Sequence, residues 1–277
     1  MNFDSVLRKF HIRNVNNTKA MLSKADAHSE KSKTSDRPSY HVTVMLPTYC
    51  EAENIETLIH TIENTETDPE ILVIDDSSPD GTADVVKKLQ EDYSNIVLLS
   101  RPSKTGLGTA ITDGFHFLLS RPNPPDYVVT MDADYSHNPQ DIPELLRKAY
   151  EGYDVVVGSR YCTGGKVKGW TLKRLIISKV ANRAIAKLVA LPINDFTSGF
   201  RCYSKEYVKK VLPCLHSQTY EIQIETLRQA RIHEAKVTET SITFTNRKKG
   251  KSKLTRNEIW SFILYALRAS LRNKTLR

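Results

Sequence analysis

The sequence predicts an α/β protein with a mostly parallel sheet flanked by helices, and three observations carry that prediction. First, apolar, β-branched runs end abruptly in acids, as in ILVIDDSSPDGT at 71–82 and YVVTMDAD at 127–134. Runs of that length bounded by turn residues read as strands buried on both faces. Second, such runs alternate with stretches of helical periodicity from Tyr40 onward. That alternation implies crossover connections and a parallel sheet. Third, the acids fall at the carboxyl ends of strands, outside which open α/β sheets place their ligand crevice. Asp75, Asp76, Asp132 and Asp134 are therefore expected at a ligand. Acids gathered in this way repel one another unless a cation or hydrogen-bond donors join them.

The elements follow in order. Residues 1–39 are polar, with a short amphipathic stretch around Val6–Ile12, and read as a flexible N-terminal extension. Residues 40–277 read as one domain. His41–Leu46 is a strand that Pro47 breaks. Ala52–Glu63 is a helix, with Ile55, Leu58, Ile59 and Ile62 at helical spacing. Glu70–Ile74 is the second strand, and Thr82 is a plausible N-cap for a helix to about Asp92. Ile96–Leu99 is the third strand. A Gly-Leu-Gly turn at Gly106–Gly108 opens a helix to Leu119. Tyr127–Met131 is a strand, Pro143–Tyr150 a helix and Asp154–Val157 a strand. Leu172–Leu191 is a long basic amphipathic helix, Tyr220–Arg231 another helix and Val237–Phe244 an edge strand. Asn257–Leu271 is an amphipathic C-terminal helix, with Trp260, Ile263, Leu264, Leu267 and Leu271 on one face.

Bulk properties narrow the class. The chain of 277 residues is 39% hydrophobic and carries a net charge of +8. No apolar run approaches the roughly 18–20 residues of a spanning helix, and no signal-peptide pattern opens the chain; a soluble, non-secreted protein is expected. Cys50, Cys162, Cys202 and Cys214 lack metal-ligand spacing and read as thiols in a reducing compartment. The basic balance suggests anionic partners. Charge alone motivates nucleic acid, no recognition motif supports it, and no nucleic-acid partner is expected.

The motifs exclude several chemistries. Pro47-Thr48-Tyr49-Cys50-Glu51 stands where a dinucleotide site would carry its glycines, and there is no phosphate-binding P-loop and no nucleophile elbow. What remains is Asp132 and Asp134, two apart at a strand end and so aimed the same way. Two convergent carboxylates suit Mg²⁺ or Mn²⁺, which keep substrate phosphates as further ligands. Taken alone such a pair is better explained by one acid capping the following helix, around Asn138.

The ordered series LPTYCEAENI, VIDDSSPDGT, RPSKTGLGTA, MDADYSHNP, VGSRY, GWTLKRLIISKVAN, DFTSGFR and NRKKGKSKL runs from about Val42 to Leu254. It resembles the dolichyl-phosphate (polyprenyl-phosphate) mannosyltransferases of the inverting glycosyltransferase family 2, in the short form without C-terminal transmembrane helices. The resemblance implies a GT-A, Rossmann-like catalytic domain. It implies transfer of mannose from GDP-mannose to dolichyl or polyprenyl phosphate, giving dolichyl β-D-mannosyl phosphate for protein glycosylation or GPI anchor synthesis. The alternative within the same fold is a glucosyltransferase using UDP-glucose. By position, Pro47, Tyr49, Glu51, Ile74 and Asp76 would hold the nucleobase and ribose. Asp132, Ala133 and Asp134 would flank the diphosphate, the two acids binding Mg²⁺ or Mn²⁺. Arg160, Arg247 and Lys253 would contact phosphates or the donor, and Arg174 the lipid phosphate. Ser136, followed by His137, stands where some relatives place a Gln metal ligand, and Cys50 replaces a usual Asn. The implied partners also include the membrane surface and, in many organisms, small membrane-embedded subunits. The implied place is the cytosolic face of the endoplasmic reticulum membrane in a eukaryote, or otherwise the cytoplasmic membrane surface.

Overall fold

The computed structural model describes residues 40–247. The expected N-terminal extension, Lys253 and the helix at Asn257–Leu271 lie outside the described residues. Nine strands and seven α-helices are seen among them. The strands are β1 (Val42–Thr48), β2 (Glu70–Asp75), β3 (Ile96–Ser100), β4 (Tyr127–Thr130), β5 (Val155–Ser159), β6 (Lys166–Lys168), β7 (Arg201–Ser204), β8 (Val237–Ser241) and β9 (Thr243–Thr245). The helices are α1 (Ala52–Glu63), α2 (Thr82–Asp92), α3 (Leu107–Leu119), α4 (Ile142–Tyr150), α5 (Leu172–Val189), α6 (Lys205–Val211) and α7 (Ile222–Ile232).

Seven strands form one sheet in the order β3-β2-β1-β4-β7-β5-β8, and β6 pairs with β9 in a small second sheet. All neighbours in the large sheet are parallel except β7, which runs antiparallel to both β4 and β5. The period-two alternation of strands divides the apolar residues between two layers. Met45 faces one layer, with Phe115 of α3, Ile185 of α5 and Leu227 of α7. Val44 and Leu46 face the other, with Ile55 and Ile59 of α1, Val86 of α2 and Leu145 of α4. Helices thus cover both faces, as a parallel sheet requires.

Four differences from the sequence expectation have physical reasons. Strand β1 continues through Pro47 to Thr48. Alternate residues bond to the same neighbouring strand, and pairing with β4 stops at Met45 and Thr130, so no acceptor waits for the N–H that Pro47 lacks. Thr82 is the first residue of α2 rather than its N-cap. The cap is Gly81, at φ 87°, a left-handed conformation that glycine adopts without strain. The Asp80 carboxylate accepts from the Thr82 amide at 3.1 Å and from its hydroxyl at 2.6 Å. The stretch Val237–Phe244 is two strands: β8 forms the edge of the large sheet and β9 turns away to pair with β6. Finally, β6, β7 and α6 were not anticipated. The buried Arg201 breaks the apolar pattern of β7; its two terminal nitrogens donate to the carbonyls of Gln223 (2.7 Å) and Phe196 (2.9 Å) and to Thr226 Oγ1 (2.8 Å), while its Nε has no partner, so most of its donors are met inside the core.

Candidate active site

The carboxyl ends of β1, β2 and β4 open on one cleft. Pro47, Tyr49, Glu51, Asp76, Asp132, Ala133, Asp134 and Arg247 line it, together with Thr48, Lys104, Gly106, Leu107, Ala110 and Tyr220. The β1 turn supplies one wall. The Glu51 carbonyl accepts from the amides of Asn54 and Ile55, both at 2.9 Å, and so starts α1. Its carboxylate accepts from Asn54 Nδ2 at 2.7 Å. The Lys104 ammonium lies 4.4 Å above the Tyr49 ring, a cation–π contact that fixes the ring at the cleft wall.

The two acids after β2 have separate tasks. Asp75 is 1% exposed; it accepts from Thr48 Oγ1 at 3.3 Å, the Ser78 amide at 3.0 Å and Ser78 Oγ at 2.6 Å. It holds the turn and does not line the cleft. Asp76 does line it, and Arg101 Nη1 donates to its Oδ1 at 2.9 Å. Arg101 is itself buried against Thr109 (2.6 Å), Thr105 and Asp113 (3.3 Å). Burial pushes the Asp76 pKa up to about 6; Arg101 opposes this and Asp75 adds to it. Ile74 does not reach the cleft. Its side chain packs beside Gly114 with Met45, so close that a Cβ at Gly114 would lie 2.6 Å from Ile74 Cδ1, and its carbonyl accepts from Thr48 Oγ1 at 3.0 Å. Its expected contact with a nucleobase is not one its side chain can make from this position.

The far wall depends on two glycines. A Cβ at Gly106 or Gly108 would lie 2.3 Å or 2.2 Å from the carbonyls of Gln218 and Ser217. Only glycine lets the 217–219 segment lie on the start of α3, where the Gly108 amide donates to Gln218 O at 2.9 Å. That packing brings Tyr220 to the cleft.

Asp132 and Asp134 follow β4. The Asp134 Oδ1 accepts from the Ser136 amide at 3.0 Å, and its Oδ2 pairs with Arg247 Nη2 at 2.9 Å. Solvent enters the cleft as far as the Asp132 carboxyl, which is 42% exposed, yet protein atoms surround it on its other sides. That burial, then the charge of Asp134, pushes its pKa up to about 7 against the pull of Arg247 and Arg160. His137 Nδ1 accepts from the Asp132 amide at 3.2 Å, and its ring stacks on Phe200 at 5.2 Å. Burial holds the His137 pKa down to about 4, so the imidazole is neutral and its 3.8 Å approach to the Asp132 carboxyl is no ion pair.

This donor set fits a divalent cation. Two carboxylates converge with like charge, a guanidinium already serves one of them as counter-ion, and the buried Ser136 Oγ has no hydrogen-bond partner. Among the described residues no cluster of three or more His, Cys, Asp or Glu side chains could hold a metal. The protein would supply Asp132 and Asp134, with ligand phosphates and water completing the shell. The His137 Nδ1, already engaged, is not available as a third ligand.

The remaining cations gather beside these acids. Arg160 Nε and Nη2 form a bidentate pair with Asp195, both at 2.7 Å, and Nη2 also donates to Thr197 Oγ1 at 2.6 Å. Burial would raise the Asp195 carboxyl, but Arg160 more than offsets it and holds the pKa below the usual range. The Arg160 guanidinium lies among the rings of Tyr161, Trp170 and Phe244. Arg174 stacks on Trp170 at 4.0 Å. Burial and then the charges of Arg247 and Arg160 lower its pKa, so three guanidiniums share one electrostatic neighbourhood. Such a cluster suits more than one phosphate. Sequence reasoning assigned no role to Arg101, Lys104, Asp195 or Tyr220. The first three lie within RPSKTGLGTA and DFTSGFR, so the motifs carried a signal for them. Nothing in the sequence marked Tyr220.

Comparison with known proteins agrees with the fold. The family model described as Glycosyl transferase family 2 matches residues 43–212. The chain belongs to that family. It is 37% identical over 225 residues to the polyprenol monophosphomannose synthase of Mycolicibacterium smegmatis, covering 80% of this chain and 84% of that one. It is 34% identical over 215 residues to the undecaprenyl-phosphate mannosyltransferase of Micrococcus luteus, covering 77% and 87%. Among solved structures it resembles the mannosyltransferase PcManGT of Pyrobaculum calidifontis in complex with GDP-Man and Mn²⁺, with a TM-score of 0.59, 16% identity and coverage of 98% and 76%. It also resembles glucosyl-3-phosphoglycerate synthase of Mycobacterium tuberculosis in complex with Mn²⁺ and UDP, with a TM-score of 0.62, 18% identity and coverage of 90% and 82%. At these identities the two structures establish the fold, which is the mostly parallel, helix-flanked GT-A-like sheet expected from the sequence. Among the described residues no helix is long and apolar enough to cross a membrane.

Proposed function

We propose that this glycosyltransferase moves mannose from GDP-mannose to a polyprenyl phosphate such as dolichyl phosphate, with inversion at the sugar. The observation that carries the reading is the junction of two charged regions at the edge of one cleft, which Asp132, Asp134 and Arg247 line and beside which Arg160 and Arg174 lie. An acidic rim, Asp132 and Asp134, meets a cluster of three guanidiniums, Arg160, Arg174 and Arg247, in a chain 37% and 34% identical to two polyprenyl-phosphate mannosyltransferases.

The residues divide the work. Asp76 and Glu51, with Pro47 and Tyr49, form the end of the cleft suited to a base and ribose; a carboxylate such as Asp76 accepts from the ring N–H and amino groups of guanine. Asp132 and Asp134 would hold Mg²⁺ or Mn²⁺, which supplies positive charge to the departing diphosphate. Arg247 turns from Asp134 to phosphate oxygens. Arg174, held by Trp170, meets the lipid phosphate, and Arg160, oriented by Asp195, adds fixed positive charge between the two anions. A phosphomonoester is already ionised near neutral pH, with a second pKa of about 6, so attack needs no strong base. The neutral, buried His137 agrees with that requirement. A phosphate oxygen bonds to the mannose anomeric carbon from the face opposite GDP, the bond to GDP breaks with its electron pair, and the configuration inverts. The product is a β-linked lipid phosphate mannose.

A donor panel against a short, water-soluble phosphorylated prenol tests this. Transfer from GDP-mannose that EDTA abolishes is expected. Transfer from UDP-glucose alone would replace the reading with a glucosyltransferase, and EDTA-resistant transfer would remove the metal. Thermal stabilisation by GDP over UDP checks the nucleotide independently.

A further inference from the structure

Ile222–Leu227, which open helix α7, are all buried. The buried polar side chains of the helix are matched, with one exception. The Glu225 carboxylate accepts from the amides of His216 at 3.0 Å and Ser217 at 2.8 Å. Thr226 Oγ1 donates to the Ile222 carbonyl at 3.0 Å and accepts from Arg201 Nη1 at 2.8 Å. Gln229 Nε2 donates to the Cys214 carbonyl at 3.4 Å. Gln223 is 4% exposed, and among the described residues its side-chain amide hydrogen-bonds to nothing. Its backbone is pinned instead: the N–H donates to the Tyr220 carbonyl at 3.2 Å and the carbonyl accepts from Arg201 Nη1 at 2.7 Å. An unpaired buried amide costs stability, so such groups are normally matched by protein, water or ligand.

Gly199 sets the place of that amide. A Cβ there would lie 3.3 Å from Gln223 Nε2 and 3.2 Å from Asp132 Oδ1, so the missing side chain leaves one gap on which amide and carboxylate both close. Asp132 opens to the cleft, and Tyr220, three residues before Gln223, lines it. We infer that Gln223 binds hydroxyls of the sugar in the nucleotide-sugar donor and so sets sugar specificity, an inference that rests on the proposed function. The chemistry selects the sugar over the other parts of the donor. Phosphate oxygens are served by charged guanidiniums, and a hard cation by the two carboxylates. A neutral amide, whichever way it is turned, presents N–H donors beside a carbonyl acceptor, a pair that neighbouring sugar hydroxyls match. The diphosphate departs at Asp132 and Asp134, so an amide beside Asp132 reaches the sugar rather than the base. A site built to pair a hydroxyl rejects the analogue that lacks it, because its own polar group is then left unmatched.

Calorimetric titration of the full-length chain with Mn²⁺ present, and no acceptor, separates sugar from nucleotide. Gln223→Met, close to Gln in length and volume, is expected to weaken GDP-mannose about tenfold and to leave GDP unchanged. If that variant fails to fold, Gln223→Asn, which withdraws the amide by one methylene, gives the same split. A panel of singly deoxygenated GDP-mannoses needs no variant: one member is expected to bind the wild type about tenfold more weakly, and Gln223→Met is expected to bind that member and GDP-mannose alike. The inference is overturned if GDP and GDP-mannose weaken together, which is a structural role, or if neither moves. It is also overturned if every member of the panel binds the wild type like GDP-mannose, or if Gln223→Met weakens Mn²⁺ in the absence of nucleotide, which would make the amide a metal ligand. Failure of the function reading looks different: UDP-glucose binds in place of GDP-mannose, and Gln223→Met separates UDP-glucose from UDP in the same way.

Discussion

The two acidic rims of the cleft, after β2 and after β4, look alike in sequence and differ in how their charge is balanced. After β2, Asp75 is consumed by the turn and Asp76 is paired with Arg101, a buried residue of the core. After β4, Asp134 is balanced by Arg247, which is 27% exposed, and Asp132 faces the open cleft. One rim carries a built-in counter-charge. The other carries one that an incoming cation can replace. Under the proposed function, that difference separates a fixed binding wall from an exchangeable reaction centre.

The largest effect that would sharpen this contrast is at the exchangeable rim. Asp134→Ala should lower turnover by about 100- to 1000-fold while circular dichroism and thermal stability stay near wild type. Near-normal turnover with Mg²⁺ or Mn²⁺ present would end the metal assignment. The fixed rim should respond in the opposite way. Arg101→Met leaves the buried Asp76 carboxylate without its partner and should destabilise the fold by about 3 kcal/mol. The loss should grow with pH, because the folded Asp76 binds its proton more tightly than the unfolded chain, and that preference costs stability as pH rises through its folded pKa. Denaturant melts at pH 5 and pH 8 check both size and sign.

Smaller effects follow at each end. Arg174→Ala should raise the acceptor KM about tenfold, equivalent to roughly 1.4 kcal/mol, with little change in the donor KM; an unmoved acceptor KM counts against the lipid-phosphate role. The affinity for GDP should fall as pH drops below about 6, where Asp76 takes up its proton. Calorimetric titrations across that range should show the fall, and Asp76→Asn should flatten it. The smallest change tests exchange itself. Arg247→Gln removes the cation that competes for Asp134 and should tighten Mn²⁺ binding roughly two- to fivefold without nucleotide, read by paramagnetic resonance of the free ion.

Much of this was written in the chain. The strand–helix alternation from β1 to α4 is local, because buried parallel strands need continuous apolar runs and their helices need a periodic stripe. The acids at 75–76 and 132–134 were legible for the same reason, since a carboxylate ending an apolar run marks the strand's exit from the core. The short strand β7 was not legible, because the acceptors that let Arg201 be buried in a four-residue strand, on Phe196, Gln223 and Thr226, are brought to it by the tertiary fold.

The sequence by itself determined the fold class, the acidic rim and the motifs of the family. Tertiary structure alone decided which acids are spent on turns and which face the cleft. It withdrew Ile74 into the core, brought Tyr220 over two glycines, paired Arg101 with Asp76 and drew the Gln223 amide and Asp132 together over Gly199. The physical reason is range. Strand and helix patterns are fixed by neighbours a few residues apart, whereas burial and charge balance are set by partners such as Arg160 and Asp195, 35 residues apart in the chain and 2.7 Å apart in space.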